Sequence, residues 1–82
     1  MALRLSTTTK LTPQQVIDQA AHYFESDVGL VVAWRLPNAA RFEGAGGHLE
    51  ISAAPTTKGS EVELETMEWE YQVREFASKL PH

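Results

Sequence analysis

The chain has 82 residues, 43% of them hydrophobic and 22% charged, and a formal net charge of −4. These values are ordinary for a globular protein and argue against disorder, and the length predicts a single domain over residues 1–82. The chain has no cysteine, which excludes disulfides, thiolate nucleophiles and cysteine-ligated metals. Because small secreted domains usually depend on disulfides, we expect a cytoplasmic protein. The longest apolar run, residues 28–34, is too short to span a bilayer.

The first two predicted elements are a strand and a helix. Residues 2–11 alternate, with Leu3, Leu5 and Leu11 on one side, which predicts a half-buried strand. Thr12 fits a helix N-cap, Pro13 the first helical position, and Gln15 can complete a capping box. The apolar stripe that this helix would bury consists of Val16, Ile17, Ala20, Ala21 and Phe24. Ser26, Asp27 and Gly29 are expected to end it.

A second strand is predicted over residues 28–36. Leu30, Val32, Trp34 and Leu36 would share the inward face, and Val31, Ala33 and Arg35 the other. Both faces are apolar over most of this length. The strand is therefore expected either at the centre of the sheet or in contact with a partner chain.

Three further strands follow, joined by short turns. Pro37 and Asn38 suit a tight turn before a strand over residues 39–44, and the glycine-rich stretch 44–47 predicts a second hairpin. A strand over residues 48–54 and a polar turn over 55–59 come next. From residue 60 the apolar period is two, and near Thr66 it changes to that of a helix ending at Leu80. The order β-α-β-β-β-β-α predicts a two-layer α+β fold, an antiparallel sheet covered on one face by two helices.

Two motifs resemble ligand sites but favour structural interpretations. A phosphate loop would lead into a helix, whereas residues 44–47 lead into a strand, so phosphate binding is rejected. Glu61, Glu63 and Glu65 share a strand face, to which His48 and Glu50 could contribute. No spacing there matches a metal-ligand signature, so we predict a solvated face on which Arg41 and Lys10 can pair with glutamates across strands, and neither metal nor cofactor.

An aromatic set is the strongest candidate for a site. Periodicity places Trp34, Phe42, Trp69 and Phe76 in the space between the sheet and the last helix, with Phe24 from the first helix. Complete packing would make these residues core. Incomplete packing would make Trp34, Phe42, Trp69 and Phe76 the lining of a cleft for a small apolar ligand.

The element order also resembles a known group of folds. Residues 3–9 leading into Pro13-Gln14-Gln15-Val16 look like the first strand and helix of the TATA-binding-protein-like and helix-grip (Bet v 1/START-related) folds. Residues 61–64 leading into residues 70–80 are similar to the final strand and gripping helix of that group. The resemblance rests on order and pattern over nearly the whole chain. It implies an open sheet gripped by a helix and a role in binding apolar small molecules.

These observations favour a small non-enzymatic domain that binds an apolar ligand or a protein partner, including a second copy of itself, on the side of the sheet and the last helix. One alternative is a nucleic-acid-binding module, which the scattered basic residues disfavour. Another is a cyclase-like enzyme of the helix-grip type, for which His48, Glu43 and Tyr71 are the available proton carriers. No membrane partner is expected.

Overall fold

The computed structural model describes residues 2–82 and shows the predicted α+β architecture. Its elements in chain order are β1 (Ala2–Thr9), α1 (Pro13–Ala21), a π-helix (His22–Val28), β2 (Val31–Leu36), β3 (Ala39–Gly44), β4 (Gly47–Thr56), β5 (Gly59–Met67) and α2 (Glu70–Lys79). The strands form a five-stranded antiparallel sheet in the order β1-β5-β4-β3-β2. The helices pack on one face of it. The predicted fold class is therefore confirmed.

The predicted capping box sets the start of α1. The Thr12 hydroxyl accepts a hydrogen bond from the backbone N–H of Gln15 at 3.2 Å, and the Gln15 side chain accepts one from the N–H of Thr12 at 2.9 Å. Pro13 occupies the first turn, where it has no hydrogen bond to lose. Two amides that the helix cannot satisfy internally thus gain partners.

Replacing Thr12 with alanine removes one half of this box. We expect the free energy of unfolding to fall by about 1 kcal/mol, the usual loss at an N-cap. Urea denaturation followed by circular dichroism measures it. Thr57→Ala in the turn between β4 and β5 is the control, since that side chain has no hydrogen bond within residues 2–82. An equal loss in both variants would contradict a capping role.

Helix α1 is followed directly by a seven-residue π-helix, so the first helical segment extends beyond Ala21. Gly29 ends it in the left-handed conformation (φ +89°), with its N–H bonded to the carbonyl oxygen of Phe24. Glycine is favoured here because a left-handed backbone carries no Cβ penalty at this residue. The wider helical turn holds the chain in helix through Val28, so β2 starts at Val31 and not at residue 28 as predicted.

The core lies between the sheet and the helices, and Phe24 is at its centre. Its ring lies 5.6 Å from that of Phe42 on β3 and 5.3 Å from that of Phe76 on α2, measured between centroids. Val73 and Leu64 are buried in the same cluster. Phe24 therefore fills the space between the sheet and the helices. The sequence alone allowed this space to be either a tight core or a cleft.

Buried polar groups of the core have partners. The Thr9 hydroxyl donates to the carbonyl oxygen of Pro81 at 2.6 Å, and the N–H of Lys10 donates to the same oxygen at 3.0 Å. The Ser60 hydroxyl donates to the carbonyl of Leu11 at 2.7 Å. The two bonds to Pro81 hold the segment that follows α2 against the end of β1, at the sheet edge farthest from β2.

A bulge in β2 changes which side chains face the helices. The pairing with β3 runs Val32 with Phe42 and then Trp34 with Arg41, so Ala33 is an extra residue in β2. Leu30 and Val32 point toward the core as predicted, but Trp34 and Leu36 are on the other face. The inward placement predicted for those two residues is wrong, because strict alternation cannot include a bulge.

Candidate functional site

The face of the sheet opposite the helices, here called the open face, is left uncovered within residues 2–82. The pairing registers align its side chains in rows that cross all five strands. The middle row consists of Trp34, Arg41, Glu50, Glu65 and Arg4, and the rows beside it consist of Val31, Glu43, His48, Met67 and Ala2, and of Leu36, Ala39, Ser52, Glu63 and Ser6. The open face therefore presents apolar, cationic, anionic and small side chains in register.

Apolar side chains gather along one edge of the open face. Val31, Trp34 and Leu36 of β2 are 69%, 41% and 54% exposed, and we call these three the apolar strip. The strand that carries them is at the edge of the sheet, so its outer backbone groups have no neighbouring strand. Edge strands usually carry charge or proline to prevent association. An edge with three exposed apolar side chains is a typical interaction surface.

Next to the apolar strip, Arg41 holds two carboxylates. Its guanidinium donates to Glu43 at 2.8 Å and to Glu50 at 2.6 Å. These hydrogen bonds, Glu43 first, raise the pKa of Arg41 above the ordinary value of arginine. The predicted cross-strand pairing of Arg41 with a glutamate is confirmed by Glu50. The hydrogen bonds of Arg41 thus fix the side chains at the centre of the open face.

His48 and Glu65 form a second polar pair on the open face. The Nε2 atom of His48 lies 3.2 Å from a carboxylate oxygen of Glu65, diagonally across β4 and β5. Across the strands on either side, His48 faces Glu43 and Met67. Neither neighbour is a hydroxyl or amine that a histidine base could activate.

Glu61 and Glu63 of β5 carry part of the excess negative charge of the open face, and we call these two the acidic band. Within residues 2–82 neither takes part in an ion pair. The described part of this face holds five glutamates and two arginines, which leaves three negative charges when His48 is neutral. A positive group approaching the open face is therefore attracted.

A shallow cavity of about 170 Å³ lies between the apolar strip and the acidic band. Its floor is formed by the small side chains Ala39 and Ser52, which are cross-strand partners. Trp34 borders it at the β2 edge, and Glu50 and Glu63 border it further in. Because small residues lie between large ones, the open face has a depression that a partner side chain can enter.

The four residues predicted to bind a ligand do not come together at one site. Phe42 and Phe76 are buried against Phe24 in the core. Trp69 is half-buried just before α2, and its indole N–H donates to the carbonyl oxygen of Gly44 at 3.2 Å. Trp34 alone faces solvent, on the opposite side of the sheet. The expected placement between the sheet and α2 holds for Phe42 and Phe76, and Trp69 packs against the same core, so it fails only for Trp34.

The predicted proton carriers are also separated. Glu43 and His48 are cross-strand partners on the open face, but Glu43 is held by Arg41 and His48 by Glu65. Tyr71 lies on α2, on the other side of the sheet, where its hydroxyl donates to Glu75 at 3.1 Å and this bond raises its pKa. The fold therefore does not bring the three residues into one site.

The described residues contain neither a group of metal ligands nor a membrane-spanning helix. Among residues 2–82 there is no group of three histidine, aspartate or glutamate side chains placed to hold a metal ion. The helices of the same residues are all too short or too polar to cross a membrane.

Comparison with known proteins shows the fold and nothing more specific. No protein-family model matches the chain, and no curated protein matches it. The chain is similar to the crystal structure of protein CV1439 from Chromobacterium violaceum, a structural-genomics target, with a TM-score of 0.52 and 12% identity over 99% of this chain and 98% of that one. At this identity the likeness shows a shared fold alone. The helix-grip resemblance stays a prediction.

Sequence reasoning missed the apolar strip as a site, although one signal for it was present. The apolar character of both faces of residues 28–36 allowed either a central strand or contact with a partner chain. The structure places β2 at an edge, so the first alternative is wrong. The exposed Val31 therefore belongs to an edge strand and not to a buried central one.

Proposed function

We propose that this chain is a small non-enzymatic interaction domain whose open face binds a basic segment of a partner protein. One observation carries the proposal: an uncovered sheet face on which the apolar strip and the acidic band lie on either side of a shallow cavity, with neither carboxylate of the band in an ion pair among residues 2–82. Tryptophan residues commonly supply much of the binding energy of protein interfaces when they become buried. Trp34 is the largest exposed side chain of the apolar strip and borders the cavity described above.

The shape of the open face suits an extended segment. An extended segment lying across the open face from β2 to β5 would place apolar side chains against the apolar strip and basic side chains against the acidic band. The cavity next to Trp34 could take a side chain of the same segment. This mode needs no large rearrangement, because Arg41 already orders the centre of the open face.

Charge decides which partner fits best. Two copies of this chain placed face to face would bring together two surfaces, each with three excess negative charges, and like charges across an interface oppose binding. Nucleic acid would be repelled in the same way. A segment carrying lysine or arginine beside apolar residues complements both the acidic band and the apolar strip. The basic partner is therefore preferred over self-association and nucleic acid.

A non-enzymatic role fits the chemistry of the open face. Catalysis needs a base held against a nucleophile or an activated water in a site from which bulk water is excluded. His48 and Glu65 lie on an open sheet surface, and the cross-strand neighbours of His48 offer no nucleophile. The pair instead contributes to the order of the surface.

The test uses nuclear magnetic resonance titration with a defined probe, a short peptide that alternates lysine with valine. We expect amide shifts confined to β2, β3, β4 and β5, and weaker binding at high ionic strength because surface charges are screened. Trp34→Ser should weaken binding about tenfold, as loss of a buried aromatic anchor does. Glu63→Gln should weaken it less and reduce the salt dependence.

Tyr71→Ser is the matched control, since Tyr71 is an exposed aromatic residue on the helix side. It should leave binding unchanged. A peptide that alternates glutamate with valine should not bind. Equal binding of the two peptides, shifts spread over α2, or an equal effect of Trp34→Ser and Tyr71→Ser would overturn the proposal. A concentration-dependent dimer that involves Trp34 would replace the basic partner with a second copy.

A further inference from the structure

A groove separates the first helical segment from α2, on the side of the molecule opposite the open face. It has a volume of about 360 Å³, within the range of small-molecule sites. The rings of Tyr23 and Phe76 lie side by side in it, 5.9 Å apart and tilted by 34°. Tyr23 also packs edge to face on Phe24 with 4.9 Å between centroids. The aromatic floor of the groove is thus fixed to the core.

The π-helix brings the polar residues of the groove together. His22, Tyr23 and Asp27 all line it, and all three belong to the π-helix. In an α-helix residues five positions apart lie on different faces, whereas a π-helix bonds residue i to i+5 and so aligns His22 with Asp27. π-helical turns are rare and are frequently found at functional sites. The carboxylate of Asp27 lies four positions from Tyr23, on the same face of the helix and beside the aromatic floor.

Charged groups around the groove differ in how far they are already engaged. Asp18 accepts hydrogen bonds from Arg35 and Gln14. The Lys79 ammonium lies 4.0 Å from a carboxylate oxygen of Glu75 and 5.8 Å from the centroid of the Tyr23 ring. Asp27 has no ion-pair partner among residues 2–82. It is the carboxylate of the groove that is available to a ligand.

The electrostatic environment of the floor favours a cation. Burial is the main cause that raises the pKa of Tyr23, and the negative charges of Glu75 and Asp27 raise it further. Burial opposes a charged ligand of either sign, whereas the negative charges of Glu75 and Asp27 oppose an anion and favour a cation. The face of a tyrosine ring adds a favourable interaction with a cation, as Lys79 already shows.

We propose that this groove binds a small arylalkyl amine, with its apolar body on Tyr23 and Phe76 and its ammonium group on Asp27. The combination of a fixed aromatic floor and one free carboxylate selects this ligand class over neutral alcohols and carboxylic acids. The site is independent of the proposed peptide docking, because the sheet separates the groove from the open face.

Nuclear magnetic resonance titration of the full chain with phenethylamine tests the proposal, with 2-phenylethanol and 3-phenylpropionate as neutral and anionic probes of similar size. Phenethylamine should shift the signals of Tyr23, Asp27 and Phe76 in a saturable manner. The alcohol should bind several-fold more weakly, and the acid should cause no saturable shift. Adding the lysine–valine peptide should leave the affinity for phenethylamine unchanged.

Asp27→Asn should weaken phenethylamine binding about tenfold, because a charge-assisted hydrogen bond is lost. Glu25→Gln is the matched control: Glu25 belongs to the same π-helix and loses the same charge, but it does not line the groove. It should change the affinity by less than about twofold. Equal effects of the two substitutions, equal binding of amine and acid, or no shift at Tyr23 with phenethylamine would overturn the proposal. The comparison of probes on the unsubstituted chain decides the matter even if Asp27→Asn does not fold.

Discussion

Replacing Phe42 with alanine should lower the free energy of unfolding by about 3–5 kcal/mol, the usual cost of truncating a fully buried phenylalanine. Phe42 has no exposed surface and packs against the ring of Phe24. For a domain of this size each kcal/mol lost from the free energy of unfolding lowers the melting temperature by about 4–8 °C. The substitution therefore removes a large part of the total stability, which is typically about 5–15 kcal/mol. Urea and thermal denaturation, followed by circular dichroism, measure the loss.

Trp34→Ala is the control for Phe42→Ala, since the sequence placed both residues in the same aromatic set. Trp34 lies on the open face, and its truncation should change stability by less than about 1 kcal/mol. Similar losses in the two variants would mean that Trp34 belongs to the core. A small loss for Phe42→Ala would mean that the space between sheet and helices is a cleft after all.

Gly59→Ala should be nearly as destabilising, although it adds only one methyl group. Gly59 has φ +148°, a conformation that residues with side chains rarely adopt, and holding alanine there costs about 1–3 kcal/mol. The added Cβ would also collide with the carbonyl oxygen of Thr9 and lie 2.7 Å from the backbone of Lys10. This overpacking against β1 costs about as much again. We therefore expect urea denaturation to show a loss of about 4 kcal/mol in the free energy of unfolding.

Gly46→Ala separates backbone strain from steric conflict. Gly46 has φ +80° in the turn between β3 and β4, but an added Cβ there meets no atom within 4 Å. Its loss should be about 1 kcal/mol, from backbone strain alone. If the two glycine variants lose the same stability, the contact between β1 and the start of β5 is looser than the structure indicates.

Local patterns in the sequence predicted most of the secondary structure. The capping box at Thr12 and Gln15 forms as predicted, because it involves residues three positions apart. Residues 44–47 form a hairpin in which Ala45 and Gly46 have positive φ, as a two-residue turn requires. The change of period after β5 marks the passage into α2 within a few residues. These features depend on residues that are close together in the chain, so they can be predicted from a single sequence.

The candidate sites were less predictable because they depend on irregular backbone. One extra residue at Ala33 moves Trp34 from the inward to the outward face and creates the apolar strip together with Val31 and Leu36. The alternation of polar and apolar residues does not indicate where a bulge lies. The π-helix after Ala21 is similar: the apolar stripe predicted a helix, but not the wider turn that brings His22 and Asp27 to the same groove.

By itself the sequence determined the order of elements, their approximate ends and the α+β class, since periodicity, caps and turn residues are local. The tertiary structure decided three things: that β2 is an edge strand, that Phe24 fills the space under α2, and that the sheet leaves its charged face uncovered. Each depends on contacts between residues far apart in the chain, such as the pairing of β1 with β5. Packing and strand register across the whole domain set the free energy of those contacts. A short sequence pattern contains no information about either.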